Sequence, residues 1–264
     1  MMALSSRYKL VVENDTFLRL INVVLDPSAT RERFQAFAHF CLHDLSDFGA
    51  WCDNIRRQIP ALYPSEVCLV DSQNELRANL SGATVAVVEE LSFGAAEIAA
   101  GGGALRFVQK YGFTTRNVDH AACEKNRVKI LTIRRRANIS TAEQGLMLML
   151  ALARQVTRNA NLISVDQLKA AGYTPTTYDR EHTPNGNWAR IPGMVTLYQK
   201  QLGIIGLGEI GRELALRALA LGMPIVYTQR SRLPAEVEHK YQAKVVSLDE
   251  LPANSDFVSL HLPT

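Results

Sequence analysis

Short apolar runs alternate with longer amphipathic stretches along this chain, a pattern that predicts strands separated by helices. Residues 18–25 (LRLINVVL) form a continuous apolar run and are expected as a first strand. Residues 28–59 are expected to be helical, opening at Ser28 and ending before Pro60. Further strands are predicted at 66–70 (EVCLV), 84–88 (TVAVV), 105–109 (LRFVQ) and 128–133 (VKILTI). A short helix at 95–100 is stopped by Gly101-Gly102-Gly103. Ser140-Thr141-Ala142-Glu143 has the form of a capping box. It predicts a long helix through Ala153, apolar all round and therefore buried between units. After Asn161 the chain turns polar and irregular, around Tyr173–Thr176 and Thr183–Asn187. More strands are expected near 203, 225, 244 and 257. Strands alternating with helices argue for parallel sheets.

The run Leu202–Arg212 (LGIIGLGEIGR) concentrates the candidate chemistry. It predicts a buried strand, a glycine turn and the start of a helix. Gly206 allows the tight turn, Gly208 lets backbone approach a pyrophosphate, and Gly211 lets helix pack on strand. The helix start, at Glu209 and Ile210, offers N–H groups and a positive dipole end to phosphates. A βαβ turn that binds nothing is the alternative. In NAD sites an acid about 20 residues on holds the ribose 2′-OH. Here that position reads Gln229-Arg230-Ser231-Arg232, and no carboxylate follows until Glu236. Gln229 can donate to a 2′-phosphate, and Arg230 and Arg232 can pair with it. The missing acid and gained bases favour NADP over NAD; two solvated arginines are the blander reading.

Composition narrows the class without naming it. The 264 residues suffice for two ordinary domains, and 47% hydrophobic with 21% charged residues is a soluble globular mix. A net charge of +3 is too small and dispersed to argue for nucleic acid. Neither a membrane-length apolar run nor a signal-peptide core is present. The cysteines, at 41, 52, 68 and 123, lack CxxC or Cys/His metal spacing and suggest reduced thiols in the cytoplasm.

Taken together, LRFVQKYGFTTRNVD (105–119), STAEQGLMLMLALAR (140–154), the glycine run and its approach from Asn187-Trp188, and the segment from Ser247 to Thr264 resemble the D-isomer-specific 2-hydroxyacid dehydrogenases. The resemblance covers about residues 80–264. It implies an α/β protein: a flavodoxin-like N-terminal substrate domain (1–150), then a truncated Rossmann-type dinucleotide-binding domain (151–264). It implies hydride transfer between nicotinamide and a 2-keto or 2-hydroxy acid, and a homodimer in the full-length form. Backbone N–H groups of two first-domain loops would bind the substrate carboxylate, which points to Glu90, Leu91, Lys110, Tyr111 and Gly112. Thr114 stands where the family has a second glycine, and Glu89 and Glu90 bring negative charge to an anion site. Lys110 is weighed against a solvated strand-end lysine. Arg134-Arg135-Arg136 is a solvated face or a clamp for a phosphorylated or dicarboxylate substrate. His261, Leu262 and Pro263 would line the cofactor at a strand end. The family's catalytic histidine, acid and arginine lie past the stretch matching Ser259–Pro263, so none is assigned here. The chain is therefore expected to be a fragment, inactive alone, with an apolar edge at 257–262; a natural short form is the alternative. A dinucleotide sensor, as in the C-terminal-binding corepressors that resemble these enzymes, is the competing function.

Overall fold

The computed structural model describes residues 8–176, 179, 181–182 and 186–262. The chain divides into two compact units, Met1–Arg135 and Arg136–Thr264. The long helix Arg136–Ala153 thus belongs to the second unit.

The first unit holds five parallel strands: β1 Lys9–Glu13, β2 Glu66–Val70, β3 Val85–Val88, β4 Phe107–Lys110 and β5 Lys129–Thr132. Their order is β2-β1-β3-β4-β5. The order reverses between β1 and β3, which makes that crevice the switch point of a flavodoxin-like sheet. The expected strand at 18–25 is a helix, Arg19–Leu25, and the first strand is the shorter KLVVE run before it. Periodicity alone cannot separate two such apolar runs. Pairing decides: β1 bonds β2 and β3 on its two sides. Asp15 then accepts from the N–H groups of Phe17 and Leu18 and starts the helix. The long helix expected from 28 to 59 is two helices, Arg31–Cys41 and Phe48–Gln58, each capped by its own side chain, Thr30 and Asp47. Leu76, Leu80, Phe93 and Val108 fill the core on one side of the sheet, and Val12, Val23, Phe48 and Cys52 on the other.

The second unit holds four parallel strands: β6 Leu202–Ile205, β7 Ile225–Thr228, β8 Ala243–Val245 and β9 Phe257–Leu260. The order β8-β7-β6-β9 corresponds to 3-2-1-4 of a Rossmann-type sheet, one half and the first strand of the other, reversing between β6 and β9. The helix expected from Ser140 begins earlier, at Arg136. Thr141 is inside it, its hydroxyl donating to the Ala137 carbonyl one turn back, so the apparent capping box caps nothing. One stripe of this helix, with Ala142, Met149 and Ala153, joins Leu214, Ala215 and Ala218 of helix Glu209–Ala220 in one core. All-round apolarity does not become all-round burial: Leu148 and Leu152 are exposed. The segment after Asn161 is not wholly irregular, since Ser164 caps a helix Val165–Ala170.

Candidate functional site

In the second unit the strand–turn–helix forms as its glycines require. Gly206 leaves β6 at φ +94°, a conformation that side chains resist. A Cβ there would overlap the His261 carbonyl oxygen, and one on Gly211 would overlap the Gly206 carbonyl oxygen. Gly208 is different: a Cβ on it would meet nothing within 4 Å. It is the N-cap of helix Glu209–Ala220, without a side-chain cap. The first N–H groups of a helix have no acceptor within it. In the first unit, by contrast, Thr30, Asp47, Ser72 and Asp119 side chains cap their helices. Bare backbone, open space and a helix dipole together suit a pyrophosphate.

The neighbouring groups are fixed around this turn. Glu209 is buried and accepts from Asn138 Nδ2 at 2.8 Å, an arrangement for which the sequence gives no motif. The His261 N–H donates to the Ile205 carbonyl, and its ring contacts the Ser259 hydroxyl at 2.9 Å. Burial pushes the His261 pKa down and so favours the neutral ring. Ile210 is half-buried and Leu262 exposed; Pro263 lies outside the described residues.

Gln229 follows directly on β7, with Arg230, Ser231 and Arg232 exposed beyond it. Gln229 Nε2 donates to the Ser231 carbonyl at 2.5 Å. Arg232 is exposed and also paired. Its Nε and Nη2 donate to the two Glu238 oxygens at 3.0 and 2.8 Å. Glu238 also accepts from the Tyr227 hydroxyl at 2.7 Å. The Arg232 guanidinium holds the Glu238 carboxyl below its usual range.

The first unit's strand ends are built otherwise. Lys110 is buried, not a solvated strand-end lysine. Its Nζ donates to the Glu89 carboxylate at 2.6 Å and to the Glu89 carbonyl. Arg135 Nη1 holds the other Glu89 oxygen at 2.7 Å and stacks over the Tyr111 ring. The Glu89 charge is thus compensated by two cations. Tyr111 is half-buried, and burial raises its pKa. The Tyr111 N–H donates to the Val88 carbonyl, and Gly112 is buried. The N–H groups of Glu89, Glu90 and Leu91 all donate to the Glu13 carboxylate. Glu13 was not legible as a site residue, being an acid at the end of a short apolar run with no motif around it.

A dinucleotide-type turn at the switch point of a parallel sheet is the class that this second unit defines. Over residues 146–264 the chain is similar to the family described as D-isomer specific 2-hydroxyacid dehydrogenase, NAD binding domain. It is 35% identical over 159 residues to 4-methyl-2-oxopentanoate reductase A of Aspergillus oryzae, covering 60% of this chain and 42% of that protein. It is 31% identical over 193 residues to hydroxypyruvate reductase of Thermotoga maritima, covering 72% and 55%. Against glyoxylate reductase of Thermococcus litoralis the figures are 29% over 161 residues, 60% and 44%. The chain thus spans about half the length of the curated relatives it matches. No helix among the described residues is long and apolar enough to cross a membrane.

Proposed function

We propose that this chain carries the dinucleotide-holding part of an NAD(P)-dependent oxidoreductase that moves a hydride between nicotinamide and a 2-keto or 2-hydroxy acid. The observation that carries the reading is the bare, uncapped Gly208 at the N-terminus of helix Glu209–Ala220, inside the stretch that matches the family. Gly206 and Gly208 would pass the backbone beneath the pyrophosphate, with Glu209 and Ile210 N–H groups at the helix start. His261 and Leu262, at the end of β9, would border the same crevice. When bound, the nicotinamide supplies or accepts the hydride. No acid/base for that step is proposed within this chain, since the resemblance places those residues past the segment matching Ser259–Pro263.

NADP is favoured over NAD. Gln229 stands where an acid would repel the 2′-phosphate, and Arg230 is exposed beside it. Arg232 contributes less, because its guanidinium is committed to Glu238. The dehydrogenase resemblance carries the homodimer of the full-length form, and the free cysteines at 41, 52, 68 and 123 carry the cytoplasmic location.

Titration of NADPH and NADH into the chain, followed by nicotinamide fluorescence and calorimetry, tests the reading. Saturable binding at one site, tighter for NADPH, is expected. Assay with NADPH and glyoxylate, hydroxypyruvate or pyruvate should give no turnover above a blank. A folded chain that binds neither nucleotide at millimolar concentration contradicts the proposal.

A further inference from the structure

The first unit has its own switch-point crevice, between β1 and β3, where open α/β sheets take their ligands at the strand C-termini. Glu13 ends β1, and the loop after β3 begins at Glu89. Glu13 reaches across that crevice. Its Oε2 accepts from the N–H groups of Glu89 at 2.6 Å, Glu90 at 3.0 Å and Leu91 at 3.0 Å, and its Oε1 accepts from Glu90 at 3.0 Å. Successive N–H groups that converge in this way form an anion-binding concavity. The rest of the loop is equally committed. Ser92 N–H donates to Gln73 Oε1 at 2.9 Å, Phe93 N–H to the Asn117 carbonyl, and Gly94 N–H to Glu97 Oε2 at 3.0 Å. Every N–H from Glu89 to Gly94 therefore has an acceptor from this chain.

We propose that Glu13 is an internal carboxylate ligand: it fills the backbone nest at Glu89–Leu91 and so excludes external carboxylates from the β1/β3 crevice. The Glu13 side chain hangs from a strand paired on both sides, so on binding the nest it loses rotamer freedom only. An external carboxylate would lose its translational and rotational freedom and would also have to displace Glu13. The same contact fixes the loop that aims Glu89 at Lys110 and Arg135. It moves the role of holding a substrate carboxylate away from Glu90 and Leu91. The inference stands on first-unit geometry alone and does not depend on dinucleotide binding.

The test is chemical rescue. E13A exposes three converging N–H groups and leaves room for a small carboxylate. The melting temperature of E13A should fall by on the order of 5–10 °C. Sodium acetate or formate should restore much of that loss, and sodium chloride at equal ionic strength should not. The wild-type chain should respond equally to acetate and chloride. A melt of E13A equal to wild type, or rescue no better than that by chloride, overturns the proposal. Should E13A fail to fold, amide hydrogen exchange in E13Q decides. Glutamine keeps a single acceptor oxygen, so exchange across residues 86–92 should rise, and unchanged exchange there overturns the proposal.

Discussion

The two units share one sheet geometry and treat it in opposite ways. Each has a parallel sheet whose strand order reverses once, and each reversal brings loop backbone to the strand C-termini. In the second unit the loop after β6 is bare: glycine at the turn, glycine at the cap, and open space where a Gly208 side chain would be. In the first unit the loop after β3 is bonded throughout, with Glu13 on its first N–H groups and Gln73, Asn117 and Glu97 completing it. The topology provides a crevice in both. Side chains at the strand ends decide whether the backbone faces a ligand or the protein itself.

The comparison can be broken at its turn residues first. Gly206→Ala places a Cβ on the His261 carbonyl at a positive φ, and should cost the second unit on the order of 3 kcal/mol in denaturant melts. At Gly208 a Cβ meets no neighbour, so Gly208→Val should cost only the weaker N-cap, about 1 kcal/mol. It should nevertheless weaken NADPH binding by about 100-fold, roughly 2.7 kcal/mol, by calorimetry. That split separates a structural glycine from a ligand-facing one.

Glu97 sharpens the first-unit side. Burial opposes its ionisation, yet the Arg77 guanidinium at 2.7 Å, the Gly94 N–H and the Gln73 amide outweigh it and lower its pKa. A depressed carboxyl contributes stability that is full above its unfolded pKa and is lost as pH falls through the folded value. Glu97→Gln should cost about 1.5–2 kcal/mol at pH 7, and the difference should shrink steadily in acid. A deficit independent of pH would mean that the charge contributes nothing. The smallest effect concerns the cofactor. Gln229→Asp should swing the NADPH-to-NADH affinity ratio about tenfold toward NADH, near 1.4 kcal/mol. A ratio that stays put would remove Gln229 from the 2′-phosphate account.

Much of the second unit was legible because its signals are local. Strand, glycines and helix lie within Leu202–Arg212, and strands form near all four expected positions. The first unit was harder to read, because its decisive contacts span the chain. Glu13 lies 76 residues from the first N–H that it holds, and no spacing rule links them. The burial of Lys110 depends on Glu89, which is 21 residues away. The helix at Arg19–Leu25 was lost to an apolar run with no period, while the true strand was a shorter run bounded by charges. Arg232 shows the same limit: its composition suggested a free base, and Glu238 from the following helix pairs with it.

Hydrogen exchange of the wild-type chain, with and without saturating NADPH, tests the contrast between the two crevices most directly. New protection is predicted across residues 203–213 and near 228–232, with no change across 86–94. Protection appearing at 86–94, or none at 203–213 in a folded chain, would contradict the assignment of an open crevice to the second unit and a closed one to the first.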